Sequence, residues 1–171
     1  GLVFEKLLDS LIVNEGVKQD DLVIGDRNAV LVSSRILGYG KEYNVIIEGE
    51  EHIIDLTSLK EDWIIKKNLV EDNKNEFQFI GPITKAKINF MLLTGHLEKQ
   101  LEELNKAYEK AGQDRGLTNR YKVIITSING DSTRGVIDDF IDNQFVARDS
   151  LAFRDYIQEV SPDINFNTTV Q

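Results

Sequence analysis

The stretch GDRNAVLVSSRILGYGKEYNVIIEGEEHIIDL, residues 25–56, changes its hydrophobic period halfway along. Its first half sets Ala29, Val30, Val32, Ile36 and Leu37 on one broad face of a helix. Asp26 suits the helix start, because its carboxylate can accept the orphan amide hydrogens of the first turn. Gly38 and Gly40 suit a left-handed stop. The spacing predicts a helix over residues 26–37. In the second half Tyr43, Val45 and Ile47 alternate with polar neighbours, Gly49 turns the chain, and Ile53, Ile54 and Leu56 return. That is the pattern of a β-hairpin.

Upstream, Leu2, Phe4, Leu7, Leu8, Leu11 and Ile12 recur at helical spacing, and Asn14, Glu15 and Gly16 end that short amphipathic helix. Downstream, Trp63, Ile64 and Ile65 predict a short strand. A second hairpin follows: Phe77, Phe79 and Ile80, a turn at Gly81-Pro82, then Ile88, Phe90 and Leu92. Thr94 caps a helix reaching Ala111, with Leu97, Leu101, Leu104 and Tyr108 as its stripe and Gly112 as its stop. Residues 117–129 read both ways, since YKVIITSI has strand propensity among helical neighbours. A helix ending at Gly130 is the preferred reading. Val136, Ile137, Phe140 and Ile141 predict another helix. The last is expected to start near Asp149 as N-cap and to stop at Pro162. The fold class is therefore α+β, mainly helical, with a small antiparallel β-hairpin unit in the middle. One domain spans 1–171, divided into N-terminal helices (1–40), a β-hairpin lobe (41–93), a C-terminal helical part (94–166) and a tail (167–171).

A chain of 171 residues can bury a sizeable core without staples. Its 41% hydrophobic and 29% charged residues argue against wholesale disorder. There is no cysteine, which removes disulfides, thiolate zinc sites and thiol nucleophiles together. The net charge of −9 disfavours a phosphate backbone as partner and favours a basic protein. No apolar run approaches the ~20 residues of a membrane span. The start, GLVFEKLLDSLIV, lacks the basic region and cleavage site of a signal peptide, and Gly1 in place of Met leads us to expect further residues upstream.

Catalytic patterns are sparse. His52 and His96 fall in different elements without a second ligand at metal spacing. GEEH at 49–52 reads as a solvated turn. Asp138, Asp139 and Asp142 share one predicted helix, with Asp138 and Asp142 four apart. They could act as an acid/base pair or hold a hard cation, but a solvated face explains them better. No serine sits in a G-x-S-x-G elbow, and GYGK lacks the rest of a phosphate loop. Arg35 is expected to pair with a carboxylate and tie its helix to a neighbour. Arg148 and Arg154 are expected to make local pairs with Asp149 and Asp155. No catalytic, cofactor-binding or metal-binding residue is assigned.

The run LVIGDRNAVLVSSRILGYGKEYNVIIE, followed by IDLTSL, resembles the baseplate hub subunit family of T-even-type, contractile-tailed bacteriophages. The shared features are an aspartate-arginine helix start (Asp26, Arg27), an arginine (Arg35), a tyrosine-glycine stop (Gly38, Tyr39, Gly40) and a β segment beyond. FQFIGPITKAKINFMLLTG, INGD and ARDSLAFRDYIQEVSPDINF extend the likeness over roughly residues 20–166. Members of that family often carry paired cysteines at the tip of the first hairpin, where this chain has GEEH. The resemblance implies a non-enzymatic virion protein of the tail baseplate, assembled in the host cytoplasm. It would have no cofactor, and its partners would be other hub proteins, the tape-measure protein and symmetric copies. A transient tail-assembly chaperone is the alternative, and an unrecognised hydrolase a more distant one. Glu98, Glu102, Glu103, Asp138 and Asp142 are the candidate interface residues. Charge reversal at Glu102 and Glu103 is expected to block tail assembly and leave the fold intact.

Overall fold

The computed structural model describes residues 2–13, 15–60 and 74–162. The strand expected at Trp63–Ile65 and the tail at 167–171 lie outside them. The chain is α+β and mainly helical, and among the described residues the strands form one two-stranded and one three-stranded antiparallel sheet. The chain divides into two compact units, residues 1–71 with 162–171, and residues 72–161. The β region expected as one lobe over 41–93 is thus shared between them.

In the first unit α1 spans Leu2–Leu11 and α2 spans Ile24–Tyr39. Leu8 of α1 is fully buried. The start of α2 differs from the expectation. Val23 is the N-cap, without a side-chain hydrogen bond, and Asp26 is the third helical residue. Burial of Gly25 and Ala29 begins the helix one turn earlier than local capping chemistry implies. Asp26 still favours the first turn, where a negative charge meets the positive end of the helix dipole. Gly38 lies inside the helix, and Gly40 alone makes the stop, at φ 86° and ψ 172°, a conformation open to glycine and scarcely to other residues. Leu37 is turned outward, 87% exposed, because the buried side of α2 runs through Ala29, Val32 and Ile36.

From Gly40 the chain enters β1 (Glu42–Ile47), turns, and returns as β2 (Glu50–Asp55). Glu48 and Gly49 both have positive φ, 55° and 89°. Two such residues make the type I′ turn whose twist matches a hairpin. Ile54 then packs with Val32 and Ile36 against Leu56 and Leu59 of a closing 3₁₀ turn.

The second unit opens with the hairpin of β3 (Phe77–Ile80) and β4 (Lys87–Phe90). Next come α3 (Gly95–Lys110), capped by the Thr94 hydroxyl as expected, and α4 (Gly116–Ile124). The helix expected to continue to Gly130 stops at Ile124, and β5 (Ile125–Ile128) pairs with β4 instead. Ile88 faces Ile128 and Phe90 faces Ile125, with a bulge that leaves Thr126 outside the register. The physical reason is burial. The free edge of β4 offers hydrogen bonds, and the extended backbone sends Ile125, Ser127 and Ile128 into the core. The Asn129-Gly130 turn, with φ 51° and 88°, closes β5 in the two-residue geometry that Asn-Gly favours.

The next helix is also shorter than expected. α5 covers Arg134–Asp139, and Phe140–Gln144 form a π-helical turn. α6 runs Ala147–Val160 and ends before Pro162. The core of this unit centres on Phe153, which is 0% exposed. Its ring lies 5.0 Å from that of Phe90 in an edge-on arrangement, 5.2 Å from Tyr121 and 5.3 Å from Phe79. Edge-on and tilted ring pairs of this kind add to the stabilisation that burial alone supplies.

Candidate functional site

Two surfaces stand out, one in each unit. In the second unit an open groove of about 550 Å³ is lined by Ala86, Ile128, Val136 and Phe140 together with the carboxylates of Asp131 and Asp139. Asp131 accepts hydrogen bonds from the Thr133 hydroxyl and amide, which hold its carboxyl below the ordinary range. Asp139 accepts from the Asn143 amide at 2.8 Å and the Gln144 amide at 2.6 Å, with the same consequence. Carboxyls stabilised as anions suit fixed negative charge more than proton transfer near neutrality.

The other expected acidic residues are drawn into folding contacts. Arg134 donates to Asp138 at 2.5 Å, one helical turn away. Asp142 sits in the π-helical turn. It receives Lys122 at 2.6 Å and lies 3.7 Å from Arg115. Lys122 is almost buried, so this pair pins the π-helical turn to α4. On α3, Glu102 pairs with Lys106 at 3.6 Å, Glu103 is exposed and Glu98 is half-buried. Exposed pairs like Glu102–Lys106 contribute about 0.3–0.5 kcal/mol and leave the outer face of α3 charged.

Asp149 departs furthest from its expected role as N-cap. Val146 occupies that position, and Asp149 is the third residue of α6, fully buried. Its carboxylate reaches the β3–β4 loop, accepting from the Ile83 amide at 2.8 Å, the Thr84 amide at 3.0 Å and the Thr84 hydroxyl at 2.6 Å. Burial pushes its pKa up, but these hydrogen bonds outweigh it and hold the carboxyl below its ordinary value. A Cβ at Gly81 would stand 2.6 Å from this carboxylate, so glycine is required there. Nothing in the local sequence signals a bond between residues more than sixty positions apart. Arg154 lies 3.8 Å from Asp155.

In the first unit the motif residues of α2 are accounted for by folding. Among the described residues the Arg35 guanidinium meets no carboxylate. It donates to the Gly40 carbonyl at 3.2 Å and the Glu42 carbonyl at 3.4 Å, and stacks over Tyr39 at 4.9 Å and Tyr43 at 5.7 Å. A planar guanidinium can serve carbonyls at its edge and rings on its faces together, which an ammonium cannot. Arg27 is half-buried on α2, its amide bonded to the Val23 carbonyl at 3.0 Å.

The β1–β2 hairpin carries the second surface. Its register pairs Ile46 with Glu51 and Asn44 with Ile53, so the two isoleucines are diagonal neighbours on one face. Tyr43, Val45, His52 and Ile54 occupy the other face, which turns towards α2 and the 3₁₀ turn through Ile54. Ile46 is 78% and Ile53 63% exposed. His52 and His96 belong to different units. Among the described residues no histidine and carboxylate group forms a set that could hold a metal ion. No helix there is long and apolar enough to cross a membrane. Compared with known proteins, the chain matches no family model, no curated protein and no solved structure.

Proposed function

We propose that this chain is a structural or assembly protein of a contractile phage tail, acting without catalysis through contacts in the baseplate hub. The observation that carries the binding role is the uncovered hairpin face, where Ile46 and Ile53 lie open beside carboxylates. Apolar side chains grouped on a polar surface mark places where another protein excludes water. The sequence resemblance over residues 20–166 supplies the setting: hub proteins as neighbours, the tape-measure protein as a further partner, and cyclic copies in the finished hub. The charged outer face of α3, with Glu102 and Glu103, is a second docking surface in this reading.

Mass spectrometry of purified tails and of tail-assembly intermediates tests the proposal. The chain is expected in both. Its presence in intermediates and absence from finished tails would make it a transient assembly chaperone. Absence from both would overturn the reading.

A further inference from the structure

Both edges of the two-stranded sheet lack a neighbouring strand among the described residues. They are not equally open along their length. A two-residue turn makes Ile47 and Glu50 the first hydrogen-bonded pair, and Val45 with His52 and Tyr43 with Ile54 follow. The amides and carbonyls of Asn44 and Ile46 on β1, and of Glu51 and Ile53 on β2, therefore point outward. At the base of the hairpin the two outward carbonyls are occupied. The Glu42 carbonyl receives Arg35, and the Asp55 carbonyl receives the Ser58 hydroxyl at 2.7 Å. The carbonyls of Asn44, Ile46, Glu51 and Ile53 stay open nearer the turn, where the exposed isoleucines also lie.

The charge of this element narrows what can cover it. Residues 42–55 contain five carboxylates, at Glu42, Glu48, Glu50, Glu51 and Asp55, and no lysine or arginine. Lys41 at the base is 3.0 Å from Asp55, so the carboxylates near the turn have no such neighbour within residues 42–55. A second copy laid against the hairpin would bring five more carboxylates to the same place, and like charges across strands are destabilising. A cationic strand would gain where a copy would lose.

We propose that the β2 edge accepts an extended segment of another protein, apolar at alternate positions and carrying lysine or arginine between them. Its backbone would pair with Glu51 and Ile53, as in strand addition to an open sheet edge. Its apolar side chains would lie on the face of Ile46 and Ile53, and its cations, on the opposite face, would meet Glu50. This inference rests on the chain being a binding protein and names the chemistry of one partner.

Two measurements test it. In the first, the purified full chain is titrated with a synthetic peptide of about ten residues, a common strand length, in which valine and lysine alternate. The amide resonances of Glu51 and Ile53 are expected to shift most. The same peptide with glutamate for lysine should bind at least ~10-fold more weakly, and Ile46→Asp with Ile53→Asp should weaken the lysine peptide by a similar factor. Both isoleucines are largely exposed, so the variant's unchanged amide spectrum elsewhere is the control for folding. Equal binding of the two peptides, or shifts centred on α3, would overturn the inference. In the second, tail-assembly intermediates are treated with a carbodiimide, which joins carboxylates directly to lysine amines. Cross-links from Glu48, Glu50 or Glu51 to a lysine of another protein are expected. A chain present in the intermediates whose hairpin joins only another copy of itself, or nothing, would sink the inference and leave the hub reading standing. A chain missing from the intermediates would sink the hub reading, and the peptide titration would still decide the strand partner.

Discussion

Asp149 holds together three donors from the β3–β4 loop, and each was satisfied by water before folding. Replacing it with alanine leaves buried amides without an acceptor, at a cost of about 2–3 kcal/mol. The expected outcome is a clear drop in the denaturant midpoint of Asp149→Ala. Gly81→Ala should cost a comparable amount, because its Cβ would be forced against the same carboxylate. An unchanged midpoint in either variant would contradict this account of the loop. Asp55 offers a test by pH. The Thr57 hydroxyl and amide, with Lys41, lower its pKa to about 2. A carboxyl depressed in the folded state stabilises it above the unfolded value, near 3.8, and that contribution is lost as pH falls through the folded one. The base of the hairpin should therefore loosen between about pH 4 and pH 2. Amide exchange at Thr57 and Ser58 across that range would show it.

The elements differ in how openly their sequences announce them. α3 was plain, because Thr94, a stripe at helical spacing and Gly112 all agree. The first hairpin was plain too, since its alternation and Gly49 specify the register. The β4–β5 pairing was hidden, because a run such as VIITSI fits a buried strand or a buried helix by periodicity alone, and the free edge of β4 favours the strand. The Asn129-Gly130 dipeptide was the local signal that favoured the strand. Asp26 and Asp149 look like caps by composition, yet burial of Gly25 and the distant Thr84 set their positions. Within the hairpin, Glu48 holds a positive φ that asparagine tolerates better. Glu48→Asn should stabilise the first unit by about 0.5 kcal/mol, read as a small rise in its melting temperature. The pair of Lys122 with Asp142 bears on the π-helical turn. Asp142→Ala should cost about 1–2 kcal/mol, because the nearly buried ammonium keeps its desolvation and loses its partner.

On the scale of the whole molecule, the second unit has a core of its own around Phe153, and the first gathers Val32, Ile36 and Ile54 about Leu56 and Leu59. Phe153→Ala removes the ring on which Phe79, Phe90 and Tyr121 converge, and is expected to cost about 3–5 kcal/mol. The loss should fall on probes within residues 74–161 and spare those in the β1–β2 hairpin. The candidate surfaces were only partly legible. Composition pointed to charged helices, and several of those charges prove to be tied to neighbours of their own. The hairpin's open isoleucines needed the register to become visible, because alternation alone does not say which face is covered. Variants at Ile46 and Ile53 and charge reversals at Glu102 and Glu103 separate the two docking surfaces, since neither pair is part of a core. The most direct test of the central claim is a density map of a tail-assembly intermediate in which this chain is located. The account predicts residues 42–55 seated against a strand of another hub protein, with Ile46 and Ile53 covered. A hairpin facing open solvent in an otherwise complete hub would contradict it.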